Sequence, residues 1–301
     1  MVSNPGTPTL DQLRVLLAVV EAGSFAGAAR KLNRATSVIS YSIANLEAQL
    51  GLVLFDRETT RKPQLTEAGR MVVAEARSVS SGIDTLRAKA RGMLQGLESE
   101  LHVVLDVLLP EERIVDALTT FRRAFPTIAL HLRVEALGAV TKLVLDGTAT
   151  LGVSGVLDAA DQIERIVAGC VPLIPVAAPD HPLARAEVNL PGAGRDHVQL
   201  VLTDRSSLTQ GREFAVVSPQ TWRLADLGSK HMLLRAGIGW GNMPEPMVRD
   251  DLTSGRLVRL RMPDSTGVDY AFNVIYRTDT APGPAASWLI DRFTSQAKPP
   301  R

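Results

Sequence analysis

Along the first hundred positions, apolar residues recur every three or four residues, and short polar breaks cut that rhythm into helices. Thr9-Leu10-Asp11-Gln12 is a capping box, a Thr to accept and a Gln three residues on. Leu13, Leu16, Leu17 and Val20 follow at helical spacing, and Gly23 ends the run. Ser24 heads a second helix whose buried face is Phe25, Ala28, Ala29 and Leu32, the alanines allowing close approach. Asn33-Arg34-Ala35 makes a turn into a third helix, with Ile39, Ile43, Leu46 and Leu50 on one side and Gly51 at its end. Two short helices joined by a tight turn, each supplying the other's core, form a helix-turn-helix.

The last of these helices keeps an outward face. Thr36, Ser37, Ser40 and Tyr41 lie on or near it, in the first two turns. Hydroxyl side chains and one phenol suit a helix whose N-terminal end enters a major groove. Arg34 in the turn and Asn45 further along complete the expected DNA-contacting set. Leu52-Val53-Leu54-Phe55 and Pro63-Gln64-Leu65 read as two short paired strands. Between them, DRETTRK carries Arg57, Arg61 and Lys62, a wing whose cations can sit on phosphates, although Asp56 and Glu58 dilute the charge.

Thr66 caps a long helix in which Val72, Ala76, Val79, Ile83, Leu86, Ala90, Met93 and Leu97 alternate spacings of four and three. That is a heptad seam, which calls for a partner helix, and Gly82, Gly92 and Gly96 make the helix dependent on one. From residue 100 the rhythm changes. LHVVLDV, EERIVDALTTFRRAF, IALHLRV, AVTKLVLDG and TLGVSG read β-α-β-α-β, a parallel sheet with crossover helices. A second set follows: the strand-like runs VPLIPVAAP, QLVLT, REFAVVS and TWRLAD, the helix LGSKHMLLRAG, then MPEPMVRDDLTSG and RLVRLR. The strand YAFNVIYRT and the helix PAASWLIDRF end the chain.

Composition narrows the chemistry. The chain has 301 residues, enough for two or three domains; 45% are hydrophobic and 22% charged, a globular balance. A net charge of +1 argues against a sequence-blind polybasic coat but not against a local DNA-reading module. Cys170 is the single cysteine, so no intrachain disulfide or cysteine metal cluster forms, and its strand context reads as a buried thiol. MVSNPGTPTL has neither a basic region nor an apolar run, and no stretch reaches the roughly 18 apolar residues of a membrane span. A cytoplasmic protein with no membrane partner and no cofactor is expected.

Catalytic signatures are missing at readable spacing. His102, His131, His181, His197 and His231 form no His-Glu-x-x-His pair, so no metal site is expected. Gly152-Val153-Ser154-Gly155 does not match the spacing of a nucleophile elbow. Gly237-Ile238-Gly239-Trp240-Gly241 follows a helix rather than a strand and ends that helix. A pure solute-binding protein would fit residues 100–301 but not the N-terminal helix-turn-helix. Aromatics at 4% are too few for a single-strand stacking platform.

LRVLLAVVEAGSFAGAARKLN, SVISYSIANLEAQLG, LVLFDR and LTEAGR, in this order and spacing, resemble the LysR-type transcriptional regulators. PLIPVAAPDHPLA, the Gly-x-Gly-x-Gly-x-Met-Pro segment at 237–244 and SGRLVRL extend the resemblance more weakly. It implies an α/β chain: a winged helix-turn-helix at 1–66, a dimerising linker helix at 67–97 and a two-lobed, periplasmic-binding-protein-like effector domain at 98–301. Lobe one would be 98–167 plus 270–301, and lobe two 168–269. Implied partners are double-stranded promoter DNA at an interrupted palindrome, a small organic effector between the lobes, further copies of the chain as dimer or tetramer, and RNA polymerase as a candidate. The chain departs from the family where Ser-Gln-Pro commonly opens the recognition helix; Ala35, Thr36 and Ser37 stand there. Tyr41 follows Ser40 where an Arg or similar polar residue is common. The base preference therefore does not carry over, and Tyr41 is left to contact a thymine methyl or a phosphate.

In parallel α/β lobes, ligands sit at the carboxyl ends of strands. Those ends are Asp106, Leu108 and Leu109 after the first strand, Leu137 and Gly138 after the second, and Ser154 and Gly155 after the third. In lobe two they are Thr203 and Asp204, with Met243 and Pro244 after the Gly-rich turn. The charge of the effector is open, and Asp106 has the alternative of capping the following helix.

Overall fold

The computed structural model describes residues 7–56, 63–94, 96–155, 161–203 and 205–295. The chain divides into two compact units, Met1–Arg91 and Gly92–Arg301.

In the first unit, α1 (Leu10–Ala22) begins with the capping box: Gln12 N donates to Thr9 Oγ1 at 3.3 Å, and Thr9 N donates to Gln12 Oε1 at 2.7 Å. Ser24 caps α2 (Phe25–Leu32), and Asn33, left-handed at φ 53°, turns the chain into α3 (Thr36–Leu50). Ala28, Ala29, Ile39, Ile43 and Leu46 are buried as their spacing predicts. On α1 the stripe is rotated. Val15, Leu16 and Val19 are fully buried, while Leu13, Leu17 and Val20 only pack on the core's margin. Leu16-Leu17-Ala18-Val19-Val20 is apolar nearly all round, so periodicity fixes the helix but not the centre of its buried face.

The wing strands are shorter than their sequence pattern predicts. β1 (Phe55–Asp56) pairs antiparallel with β2 (Gln64–Leu65). Leu52–Leu54 stay outside the ladder because the Glu47 carboxylate on α3 accepts from Leu54 N (2.7 Å) and Phe55 N (3.3 Å). Thr66 Oγ1 accepts from Gly69 N at 2.9 Å and opens α4 (Glu67–Leu94). A Cβ at Gly69 would lie 2.1 Å from Leu54 O, so only glycine lets the wing lie against this helix. α4 stops short of the expected seam. Leu97 N donates to Gly92 O, and Gly96 turns left-handed at φ 73°, so Leu97 lies beyond the helix. Val72 and Ala76 are buried in the first unit's core, whereas Val79, Leu86 and Met93 are exposed.

In the second unit, β3 (Glu100–Asp106), α5 (Glu111–Ala124), β4 (Ala129–Glu135), α6 (Gly138–Leu145) and β5 (Leu151–Ser154) form the predicted unit, with β3 parallel to both β4 and β5. β6 (Ile163–Ala177) starts well before the predicted VPLIPVAAP. After α7 (Pro182–Arg185) come β7 (Gln199–Leu202) and β8 (Thr221–Leu224), a parallel pair, then α8 (Leu227–Arg235), β9 (Gly241–Pro244), α9 (Glu245–Thr253), β10 (Val258–Arg259), β11 (Val268–Arg277) and α10 (Pro284–Ser295). The main sheet runs β10-β6-β11-β5-β3-β4, with β9 also on β6. β6 and β11 pair antiparallel from Val268↔Leu173 to Arg277↔Ile163, with a register shift between Ala271 and Asn273. The expected lobe borders at 167/168 and 269/270 fall inside these two long strands.

Two local expectations fail here. REFAVVS, at 212–218, is not a strand. The Gln199 side chain takes its backbone groups: Nε2 donates to Ala215 O at 2.8 Å, and Oε1 accepts from Val217 N (2.8 Å) and Ser218 N (3.0 Å). Cys170 lies in the middle of β6 and is half-buried rather than buried.

Candidate functional site

At the start of α3, Ile39 and Ile43 point into the core and the remaining positions of the first two turns, the half-buried Ser42 apart, face outward. Thr36, Ser37, Ser40 and Tyr41 are exposed, Tyr41 at 68%. Asn45 is half-buried. Val38 shares this surface at 47% exposure, and the apolar rhythm of the sequence hides it. Ala35 offers no side-chain cap to the helix. Arg34 is held by Asp11 at the start of α1: Nη1 donates to Oδ2 at 2.7 Å and Nη2 to Oδ1 at 2.9 Å. The hydrogen bond from Arg34 keeps the Asp11 carboxyl below the usual carboxylate range. Arg34 thus fixes the turn onto α1 and presents its charge as half of an exposed pair. Arg57, Arg61 and Lys62 lie outside the described residues.

The second unit holds an open cavity of about 570 Å³. β7, the 212–215 segment, α8, β9 and the start of β11 meet the carboxyl ends of β3, β4 and β5 around it. Of the residues the sequence nominated, Leu108, Leu137 and Gly155 line it. Leu109 and Met243 belong to the hydrophobic core, and Gly138 and Ser154 are buried, Ser154 Oγ lying 3.3 Å from Thr141 Oγ1. Pro244 precedes α9 and pairs with Leu173 across the sheet. Thr203 N donates to Leu224 O. Asp204 is outside the described residues.

Asp106 neither caps α5 nor stands open to solvent. It is fully buried; Oδ1 accepts from Leu108 N (2.9 Å), and Oδ2 from Gly155 N (3.3 Å) and Tyr270 Oη (2.7 Å). One carboxyl so ties the ends of β3 and β5 to β11. Burial pushes its pKa up to about 6, against the lowering effect of those three hydrogen bonds. A Cβ at Gly155 would fall 1.9 Å from the Tyr270 ring, so glycine there is what lets Tyr270 reach Asp106.

Among the cavity residues that sequence reasoning missed are Lys230, Asn242, Gln199, Phe214 and Tyr270. Lys230 did leave a signal: Leu227, Lys230 and Leu234 are the buried face of α8 at spacings of three and four, which puts a lysine on an apolar stripe. Tyr270 left none, since its partner is 164 positions away.

β-Register also collects Glu100, His102 and His131. His102 and His131 are direct partners across β3 and β4, their rings stacked 4.4 Å apart. Glu100, two residues before His102 on the same face, lies 3.5 Å from each imidazole. One potential ligand atom from each lies within 4.8 Å of the others, a grouping that no sequence spacing showed; Glu100 and His131 are exposed and His102 is half-buried. No single helix among the described residues is long and apolar enough to cross a membrane.

The family model for the LysR substrate binding domain matches residues 94–298, and that for the bacterial regulatory helix-turn-helix protein, lysR family, matches 10–70. The chain is similar to the HTH-type transcriptional regulator AceR of Acinetobacter baumannii, 28% identical over 300 residues that cover 96% of this chain and 98% of AceR. It is similar also to the probable HTH-type transcriptional regulator YhaJ of Escherichia coli, 29% identical over 293 residues and 94% of each chain. Among solved structures, full-length LysG of Corynebacterium glutamicum with bound effector Arg gives a TM-score of 0.51 at 21% identity, over 95% of this chain and 97% of that one. At that identity the likeness concerns the fold alone.

Proposed function

Because the chain belongs to the LysR-type transcriptional regulators, we propose that it binds an interrupted palindrome in promoter DNA as an oligomer and is switched by a small organic molecule held in the cavity of its second unit. Residues 1–66 read DNA, 67–97 join copies of the chain, and 98–301 sense the effector. The protein acts in the cytoplasm, without catalysis, and RNA polymerase is a candidate partner.

The observation that carries this reading is the exposed face of α3. Thr36, Ser37, Val38, Ser40 and Tyr41 form an outward surface on a helix whose other side is locked into the core by Ile39, Ile43 and Leu46. Such a helix presents a fixed set of side chains to base edges. One helix spans only a few base pairs, so useful specificity needs two of them. The exposed row Val79, Leu86 and Met93 on α4 supports pairing of two copies. The cavity supports the sensing role, since an apolar concavity with a few polar groups is what a small ligand requires.

A nuclease footprint of the full chain on the DNA upstream of its own gene tests the reading. A protected, interrupted palindrome is expected, and small-molecule extracts of the source cells should alter its extent. Folded protein that protects nothing there or at any sequence selected from random DNA would overturn the DNA-reading role. An unchanged footprint with every extract fraction would overturn the effector role.

A further inference from the structure

Among the described residues, Lys230 is the buried charge at the cavity that has no ion-pair partner. Lys230 is 4% exposed and lines the cavity from α8. Its ammonium donates to the main-chain oxygen of Asn242 at 2.7 Å, and among the described residues it has no ion-pair partner. Burial alone pushes its pKa down to about 8, so it is still charged at neutral pH. An ammonium has three donors, and a buried charge without a counter-ion is costly. Asn242, which also lines the cavity, has a buried Oδ1 with no hydrogen-bond partner. Other charged groups at the cavity do not cancel Lys230. Glu213 pairs with Arg223 at 2.7 Å, Arg212 lies over the Phe214 ring at 5.2 Å, and Asp269 is exposed. The Gln199 amide is already engaged by the 215–218 backbone. Leu108, Leu137, Leu200, Val201 and Phe214 make the rest of the wall apolar.

We propose that the effector is a compact organic acid whose carboxylate pairs with Lys230 and whose apolar body fills the remaining cavity, with a hydrogen-bond donor placed near Asn242 Oδ1 where the acid carries one. This rests on the cavity being the effector site. A carboxylate supplies the missing counter-charge and takes the two ammonium hydrogens that Asn242 leaves free. A cationic ligand would add a second charge beside Lys230. A neutral one would bury the ammonium further and leave it unpaired.

The test uses the full chain at pH 7 and matched acids and amides: benzoate against benzamide, phenylacetate against phenylacetamide, hexanoate against hexanamide, each at about 10 mM. At least one acid is expected to raise the unfolding midpoint by about 3 °C or more while its amide leaves it unchanged. Lys230→Met should lose that shift and, without ligand, unfold above wild type, because the uncompensated charge is gone. An amide that stabilises as well as its acid would overturn the charge assignment and leave the effector cavity standing. A ligand-free Lys230→Met midpoint below wild type would make the lysine structural and overturn the proposal, as would silence from all three acids. The footprint with cell extracts judges the effector role separately.

Discussion

Asp106 and Lys230 are buried groups of opposite kind, and pH separates what each does. Asp106 has a folded pKa of about 6 against an ordinary 3.8, so the native state holds the proton more tightly. Its contribution to stability is complete below pH ~4 and is lost as pH rises through 6. Above that, a charged carboxylate depends on the Tyr270 hydroxyl. Tyr270→Phe should therefore cost about 1.5–3 kcal/mol at pH 7 and less at pH 4, because a bond to a charged acceptor is worth more than one to a neutral acid. Urea unfolding of both proteins at the two pH values checks this; equal losses would count against it. Lys230 runs the other way. Its pKa falls from 10.5 to about 8, so the unfolded state binds more protons between those values and the native state gains stability as pH rises through that window. The gap by which Lys230→Met exceeds wild type should close between pH 7 and 10, and a constant gap would argue against a buried charge.

At the scale of elements, what could be read from the chain depended on how local the cause was. The capping box, the left-handed closures at Gly23 and Gly51, and the buried faces of α2 and α3 are set by neighbours within a few residues, and their patterns predicted them. Three expectations broke where a distant side chain intervened or the pattern was too uniform. Glu47 shortened β1, Gln199 unmade the 212–218 strand, and the all-round apolar α1 chose its face by contact with its partners. α3 and α4 also leave surfaces whose roles are separable. Tyr41 is too exposed for its loss to matter to folding, so Tyr41→Ala should change stability by less than about 0.5 kcal/mol. It should cut affinity for the operator by about 5–100-fold; random DNA stays little changed where Tyr41 meets a base and weakens in parallel where it meets a phosphate. Fluorescence anisotropy on both DNAs measures this; equal affinities in mutant and wild type would remove Tyr41 from the reading face. Leu86 is 66% exposed on α4, and Leu86→Glu should shift the sedimenting species toward monomer. An unchanged oligomer would place the joining surface elsewhere.

For the whole molecule, the cavity was the least legible part. Strand ends pointed to Leu108, Leu137 and Gly155, but its polar chemistry depends on pairs formed across the fold, Asp106 with Tyr270 and Lys230 with Asn242. The DNA side poses a different question at this scale, because a net charge of +1 gives the chain almost no general attraction to a polyanion. Specific affinity must then come from a few local phosphate contacts plus base readout. With about four phosphates neutralised per bound oligomer, raising salt from 50 to 200 mM should weaken operator binding on the order of 10²-fold. Salt does not separate the two contacts open to Tyr41; base substitution does. Each lost phosphate contact that displaced a counter-ion lowers the slope of log affinity against log salt by about 0.9, whereas a lost contact to a thymine methyl leaves the slope alone. Tyrosine is neutral and displaces no counter-ion even at a phosphate, so Tyr41→Ala should leave the slope unchanged in either case, and base substitution completes the assignment. If Tyr41 meets a thymine methyl, replacing that thymine with uracil should cost wild type affinity and cost Tyr41→Ala nothing. Equal sensitivity of both proteins at every thymine of the operator would assign Tyr41 to the phosphate backbone.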